Sequence, residues 1–119
     1  RIAVLRTFGA AVTVIAPHWR EPVEGVEWLA RPYAPGDLEG AVLAVAATSD
    51  RAVNRAVGEE ARRAGIPVSV ADAPEECTFW FPAVCRGEDL VAGVVSLSGD
   101  HHRTARAARA IRTVLEELP

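Results

Sequence analysis

The residue best suited to carry chemistry is Asp72, which directly follows the apolar stretch Ile66–Ala71. In open α/β sheets, ligands bind beyond the carboxyl ends of the strands, so a carboxylate at that position is a candidate general acid or base. Alternatively, Asp72 opens a turn, because an aspartate side chain accepts hydrogen bonds from nearby backbone amides and Pro74 restricts the backbone. The residue type alone leaves both interpretations open.

Adjacent histidines, His101 and His102, form a second polar cluster. Neighbouring side chains on a turn point apart and rarely share one metal ion, so no metal site is predicted there. The histidines could bond carboxylates of a substrate, or they could lie on an exposed turn. Cys77 and Cys85 are expected to be small buried thiols and not a disulfide.

Length and charge exclude several classes of function. The chain has 119 residues, which is enough for one hydrophobic core. Its formal net charge of -3 lacks the basic surface typical of a nucleic-acid-binding domain. Apolar runs such as Ala41–Ala47 fall far short of the roughly 20 residues that cross a bilayer. No signal peptide is recognisable, so the sequence predicts a cytoplasmic protein that binds neither membranes nor nucleic acid.

Three apolar runs must position Asp72 and its surroundings. Ala11–Ala16, Ala41–Ala47 and Ile66–Ala71 are continuous enough to be strands buried on both faces of a parallel sheet. Between the last two, Arg51–Ala64 has helical periodicity, a Thr-Ser-Asp cluster before it and Gly65 after it. The alternation predicts an α/β fold with a Rossmann-like parallel sheet and helices on both faces.

The remaining amino-terminal segments are less regular. Arg1–Phe8 fits either a strand or the last turns of a helix, and a helix is favoured because a strand would force an antiparallel hairpin onto a parallel sheet. Gly9 then suits a left-handed position after the helix. Val26–Ala30 alternates like a short strand, and Arg31–Gly40 is predicted to be a loop with one helical turn at most.

The carboxyl-terminal part of the sequence has a different pattern. Ala83–Arg86 and Leu90–Leu97 flank a tight turn, as in a hairpin or a strand pair at the sheet edge, and an amphipathic helix follows Asp100. Its predicted apolar stripe consists of Thr104, Ala107, Ala108, Ile111, Val114, Leu115 and Leu118. The arginines on the rest of the helix form either a solvated face or a surface for a polyanionic ligand, and the tail could form a dimer seam.

Three segments in this order resemble one protein family: GAAVTVIAP at Gly9–Pro17, LEGAVLAVAATSDRAVN at Leu38–Asn54 and VSVADAPEECTFWFPAV at Val68–Val84. They resemble the precorrin-2 dehydrogenase / sirohydrochlorin ferrochelatase family, the amino-terminal half of siroheme synthase. The resemblance implies a Rossmann-type domain that binds NAD and oxidises precorrin-2 to sirohydrochlorin. It also implies that Asp72 is the catalytic acid or base.

The resemblance assigns cofactor contacts to the ends of two strands. Pro17 and His18 fall at the adenosine-ribose position, where the usual Rossmann acid is absent, and Ala47 and Thr48 fall at the crevice that a dinucleotide would cross. Thr48 could equally serve only to cap the following helix. Residues 1–82 are expected to form the NAD-binding domain without its first strand and glycine-rich turn, since no GxGxxG is present.

On the substrate side, the family loop corresponds to Ser96–His102, with one glycine and a Ser-Pro pair lost. The substrate-binding residues implied there are Ser98, Gly99, His101 and Arg103. Residues 83–119 are expected to be a strand-helix segment that forms a homodimer, as in the family. The departures leave a second reading open, a non-catalytic homologue that binds a tetrapyrrole or a nucleotide.

Overall fold

The computed structural model describes all residues from Arg1 to Pro119 and divides into two compact units, Arg1–Phe79 and Trp80–Pro119. In the first unit, the elements are α1 (Ile2–Thr7), β1 (Thr13–Ile15), β2 (Glu27–Leu29), β3 (Ala44–Ala46), α2 (Arg51–Ala64), β4 (Val68–Val70) and a 3-10 turn (Pro74–Glu76). The second unit contains β5 (Ala83–Arg86), β6 (Val91–Val94) and α3 (His101–Glu117). The α/β class predicted from the sequence is confirmed.

The segment Arg1–Phe8 contains a helix, which confirms the preference for a helix over a strand. Gly9 follows α1 with φ of 82°, the left-handed conformation expected after a helix end. β1 pairs in parallel with β2, with Thr13 opposite Glu27 and Ile15 opposite Leu29. The expectation that this strand is buried on both faces is wrong, because β2 is its only strand neighbour and Thr13 is exposed.

The core of the first unit lies between α2 and a second parallel pair, β3 and β4. All three residues of β4 are buried, and Val57 and Ala61 of α2 pack on the strands with Val68 and Val70. The parallel strands thus form two separate pairs and not one continuous sheet. Pairing depends on which segments meet in space, which apolar runs alone do not specify.

The strands are shorter than the apolar runs that predicted them. The run Ala41–Ala47 contributes only three residues to β3, and Val42 is 86% exposed. Val42 lies in the approach to the strand and has no neighbour to cover it. In the loop Arg31–Gly40, the chain makes successive turns but no helix.

The second unit is a hairpin packed on a long helix. β5 and β6 are antiparallel, with Ala83 opposite Val94 and Arg86 opposite Val91. Ala108 of α3 is buried against them, and the buried Cys85 thiol donates to its carbonyl at 3.4 Å. Val114 and Leu118, which were predicted to lie on the apolar stripe of the helix, are exposed.

Both cysteines are free thiols, Cys77 half-buried and Cys85 buried. None of the helices combines the length and apolar character that crossing a bilayer requires.

Candidate functional site

The carboxyl ends of β3 and β4 form one edge, and Asp72 lies there. Ala46 is opposite Val70, and the amide of Ala71 donates to the Ala46 carbonyl at 2.9 Å, so parallel pairing continues up to the residue before Asp72. Ala47 and Thr48 leave β3 at the same edge. The structure therefore brings the predicted catalytic residue and two predicted cofactor residues to the edge where α/β folds place their ligands.

Asp72 is half-exposed and held by an ion pair that spans 21 residues of sequence. Nη1 of Arg51 donates to Oδ1 of Asp72 at 2.8 Å, and Nη2 donates to Oε1 of Glu76 at 2.6 Å. The side chains of Arg51 and Asp72 are 38% and 39% exposed, and that of Glu76 is 19% exposed. One guanidinium thus orients two carboxylates that follow the same strand.

The chain after Asp72 folds back along the free edge of β4. The Val68 amide donates to Oγ1 of Thr78 at 2.8 Å, and the Thr78 amide donates to the Val68 carbonyl at 2.8 Å. The Val70 amide donates to Sγ of Cys77 at 3.1 Å. These contacts satisfy a strand edge that would otherwise be unpaired and fix both ends of the loop that carries Asp72.

The loop from β3 into α2 is closed by Asn54, a fully buried side chain. Its Oδ1 accepts from the Thr48 amide at 3.0 Å and from the Thr48 hydroxyl at 2.7 Å, and its Nδ2 donates to the Thr48 carbonyl at 3.0 Å. The helix itself is capped by Asp50, whose carboxylate accepts from the amides of Ala52 and Val53. Thr48 therefore locks the loop and is not the residue that caps the helix.

Pro17 and His18 are exposed just beyond the carboxyl end of β1. The backbone leaving that strand is held by Trp28, whose Nε1 donates to the Ala16 carbonyl at 2.9 Å. Trp28 also meets Trp19 edge to face, with ring centroids 6.0 Å apart. His18 is exposed, so its ring nitrogens are accessible to a ligand.

A second polar cluster anchors the loop before β3. Glu60 on α2 accepts from the Tyr33 hydroxyl at 2.5 Å and from the amides of Gly36 and Leu38. Burial and the Glu60 carboxylate raise the pKa of Tyr33 to about 12. The hydrogen bond from Tyr33 in turn lowers the pKa of Glu60. Since both oxygens of Glu60 accept hydrogen bonds from the loop, the cluster holds the loop against α2.

Within the same loop, Arg31 donates to both oxygens of Asp37, at 2.8 and 2.9 Å. The Asp37 carboxylate also accepts from the Ala34 amide at 2.7 Å. Arg31 and this amide lower the pKa of Asp37 to about 2. The pair is structural, because it closes the loop on itself.

The predicted substrate loop belongs to the second unit and is organised by Ser96. Oγ of Ser96 accepts from the amides of Ser98 and Asp100, at 3.2 and 3.0 Å. Gly99 has φ of 78°, which other residues rarely adopt, and Asp100 caps α3 by accepting from the Arg103 amide at 3.0 Å. His101 and the Arg103 side chain are exposed at the start of the helix.

Three residues of the site were not predicted from the sequence: Arg51, Asn54 and Glu76. One signal was available for Arg51, since a cation in the first turn of a helix opposes the helix dipole. Another was available for Asn54, a polar residue on the apolar side of a helix. Nothing in the sequence marked Glu76 as a partner of Arg51. No cluster of three or more His, Cys, Asp and Glu side chains in the chain could hold a metal ion.

The chain is similar to known proteins of siroheme biosynthesis. A probable multifunctional siroheme biosynthesis protein, HemA of Ruminiclostridium josui, is 34% identical to this chain over 121 residues. The siroheme synthase of Methylobacillus flagellatus is 41% identical to it over 125 residues. These alignments cover 96% and 99% of this chain but 24% and 26% of the relatives. The chain thus spans about a quarter of the length of the curated relatives it matches.

Among solved structures, SirC, a precorrin-2 dehydrogenase, has the same fold with a TM-score of 0.73 and 22% identity, over 98% of this chain and 60% of that one. The resemblance inferred from the three sequence segments is confirmed. The profile of the family described as putative NAD(P)-binding matches residues 1–83. The chain belongs to this putative NAD(P)-binding family.

Proposed function

We propose that this chain carries out the NAD-dependent oxidation of precorrin-2 to sirohydrochlorin, with Asp72 as the general acid or base. The observation that supports this function most directly is the position of Asp72 at the carboxyl edge of β3 and β4, the edge at which Ala47 and Thr48 leave β3. The resemblance to siroheme synthases and the shared fold with a precorrin-2 dehydrogenase name the reaction.

NAD would accept the hydride that the macrocycle loses in this reaction. The residues present fit part of this cofactor: the exposed ends of β1 and β3 offer Pro17, His18, Ala47 and Thr48 as contacts. The chain contains no GxGxxG turn for the pyrophosphate and no carboxylate at the ribose position. His18 would take the place of that carboxylate as a hydrogen-bonding partner of the ribose.

Asp72 is equipped to move a proton. Only its Oδ1 is bonded within the protein, to Arg51, so Oδ2 has no protein partner and can accept a proton. Loss of a hydride from the reduced macrocycle must be accompanied by loss of a proton, which Oδ2 would accept. The half-exposed carboxylate can then release this proton to water.

The substrate carries several carboxylates, and the second unit offers donors for them. Ser98, Gly99, His101 and Arg103 lie in the loop ordered by Ser96 or in the first turn of α3, and the guanidinium of Arg103 makes no ion pair. We assign these residues to substrate binding. An Arg103→Gln variant should raise KM for precorrin-2 and leave the affinity for NAD unchanged.

The second unit would also form the homodimer. β6 has a partner on one side only, and large apolar side chains are exposed around it and on α3, namely Leu90, Val91, Val95, Leu97, Val114 and Leu118. Such a surface is typical of an interface. Light scattering at micromolar concentration should give the mass of a dimer, and Val91→Asp should give a monomer; a monomeric wild-type protein would contradict the dimer.

The function is tested by incubating the protein, expressed from its complete reading frame, with precorrin-2 and NAD. Formation of sirohydrochlorin and an equal amount of NADH is expected. The second candidate, a tetrapyrrole-binding protein without catalysis, is motivated by the loop Ser96–His102, which lacks one glycine and the Ser-Pro pair of the family pattern. Calorimetry separates the two, because only the enzyme needs affinity for NAD; tetrapyrrole binding without NAD binding and without product would refute the dehydrogenase.

A further inference from the structure

Arg51 occupies a helical position that its own helix does not favour. It is the first residue of α2, directly after the N-cap Asp50, and the first turn contains no acidic residue. A positive charge in the first turn opposes the helix dipole. Its favourable contacts lie outside the helix and run to the loop after β4.

The Arg51 guanidinium bridges two carboxylates through separate nitrogens. Nη1 contacts Asp72 at 2.8 Å and Nη2 contacts Glu76 at 2.6 Å. Because the guanidinium is planar and rigid, the contact with Glu76 fixes the direction from which Nη1 approaches Asp72. No other cation lies within 4.0 Å of either carboxylate. The bridge therefore restrains Oδ1 of Asp72 and leaves Oδ2 without a protein partner.

The guanidinium is also held by packing. Its Nε is buried and has no hydrogen-bond partner, whereas a solvated surface arginine would keep this atom in water. A buried donor without a partner is rare and unfavourable. Packing around Nε therefore restricts the orientation of the Arg51 side chain, although Nε itself makes no hydrogen bond.

A second arginine on α2 fastens the same loop. Arg62, about three helical turns beyond Arg51 and on the same face, donates from Nη1 to the Glu76 carbonyl at 3.0 Å. Glu76 is thus fixed through its side chain by Arg51 and through its backbone by Arg62. The loop between Asp72 and Glu76 cannot shift along the helix without breaking both contacts.

We propose, on the basis of the dehydrogenase function above, that Arg51 is a positioning residue for Asp72. It acts through the carboxylate and touches neither cofactor nor substrate. Glu76 keeps the guanidinium aligned, and Asp72 receives one hydrogen bond to the oxygen that does not react. Removing the guanidinium frees the Asp72 carboxylate to rotate among orientations, most of which do not present Oδ2 to the substrate.

The test compares turnover of precorrin-2 by the wild-type protein with that of Arg51→Gln, Arg51→Lys and Arg55→Gln. Arg51→Gln should lower kcat on the order of 10- to 100-fold, as expected for a misplaced reacting group, and should leave KM for NAD unchanged. Arg51→Lys should recover part of the rate, because an ammonium can approach Asp72 but cannot hold the fork geometry. Arg55→Gln is the matched control, since Arg55 is exposed on the same helix and makes no ion pair.

A second comparison separates positioning from a general effect on the fold. In an Asp72→Ala background, Arg51→Gln should cause no further loss of the residual rate, because its effect passes through Asp72. An equal loss in that background, or full kcat in Arg51→Gln, would overturn the positioning role while leaving the dehydrogenase intact. A wild-type protein that forms no sirohydrochlorin would refute the proposed function, and the role of Arg51 with it.

Discussion

The buried amide of Asn54 gives the sharpest prediction for the loop beneath the site. Asn54→Ala removes all three hydrogen bonds to Thr48, two of which satisfy its backbone amide and carbonyl. At about 1 kcal/mol for each bond, the loss is about 3 kcal/mol. The higher helix propensity of alanine offsets up to about 0.7 kcal/mol of it. The net expected loss is therefore about 2 to 3 kcal/mol in the free energy of unfolding.

Thr48→Val provides a graded comparison. It removes the hydroxyl that bonds to Asn54 and accepts from the Asp50 amide, but it keeps both backbone contacts of residue 48 with Asn54. The bond from the Asp50 amide is exposed, so water can replace it, and this variant should lose about 1 kcal/mol for the bond to Asn54. Arg55→Ala, an exposed change on the same helix, should lie within about 0.5 kcal/mol of the wild type.

The assay is urea denaturation of the three variants, followed by circular dichroism, with the unfolding slope checked for constancy. If Asn54→Ala is no less stable than Thr48→Val, the two backbone contacts contribute nothing and the proposed lock is wrong. Calorimetry with NAD adds a functional measure. If the loop is part of the cofactor site, Asn54→Ala should weaken NAD binding at a temperature where the variant is still folded.

Other predictions concern ionisation and backbone conformation. Tyr33 is the only tyrosine in the sequence, so an absorbance titration of its phenol should give a pKa of about 12, and Glu60→Gln should lower it. Because folding raises the pKa of Tyr33 from 10.0, its contribution to stability is complete below pH 10.0 and is lost as the pH rises through about 12. Tyr33→Phe should remove this pH dependence of the free energy of unfolding. A phenol that titrates near 10.0 in the folded protein would contradict the prediction. Gly65→Ala should lower stability by about 1 kcal/mol because Gly65 has φ of 71°, and a thermal midpoint equal to that of the wild type would show that the left-handed conformation is not required.

Local signals in the sequence were sufficient for α2. The bounds of α2 were predicted to the residue, because Asp50 can cap its first amides and Gly65 can adopt the left-handed conformation that ends it. The hairpin of β5 and β6 was likewise predicted from its turn and its alternation. These features depend on residues a few positions apart, which a single sequence displays directly.

Features that depend on distant partners were predicted less well. Apolar runs indicated strands, but the number of residues that pair and the division into two parallel pairs follow from which strands meet. The position of Asp72 at a strand end was predicted, whereas its bond to Arg51, 21 residues earlier, was not. Likewise, Thr48 was assigned to the right edge, but its bonds to a buried asparagine were missed.

We propose that Asp72 accepts the proton that precorrin-2 loses on oxidation. Asp72→Asn keeps the shape of the side chain and its exposed position, so the variant should fold normally and bind NAD with the affinity of the wild type. In a single-turnover experiment with precorrin-2 and NAD, the wild-type protein should form sirohydrochlorin and NADH together, and Asp72→Asn should form both on the order of 100- to 10,000-fold more slowly. Full-rate formation of both products by Asp72→Asn would contradict the assigned role of this carboxylate.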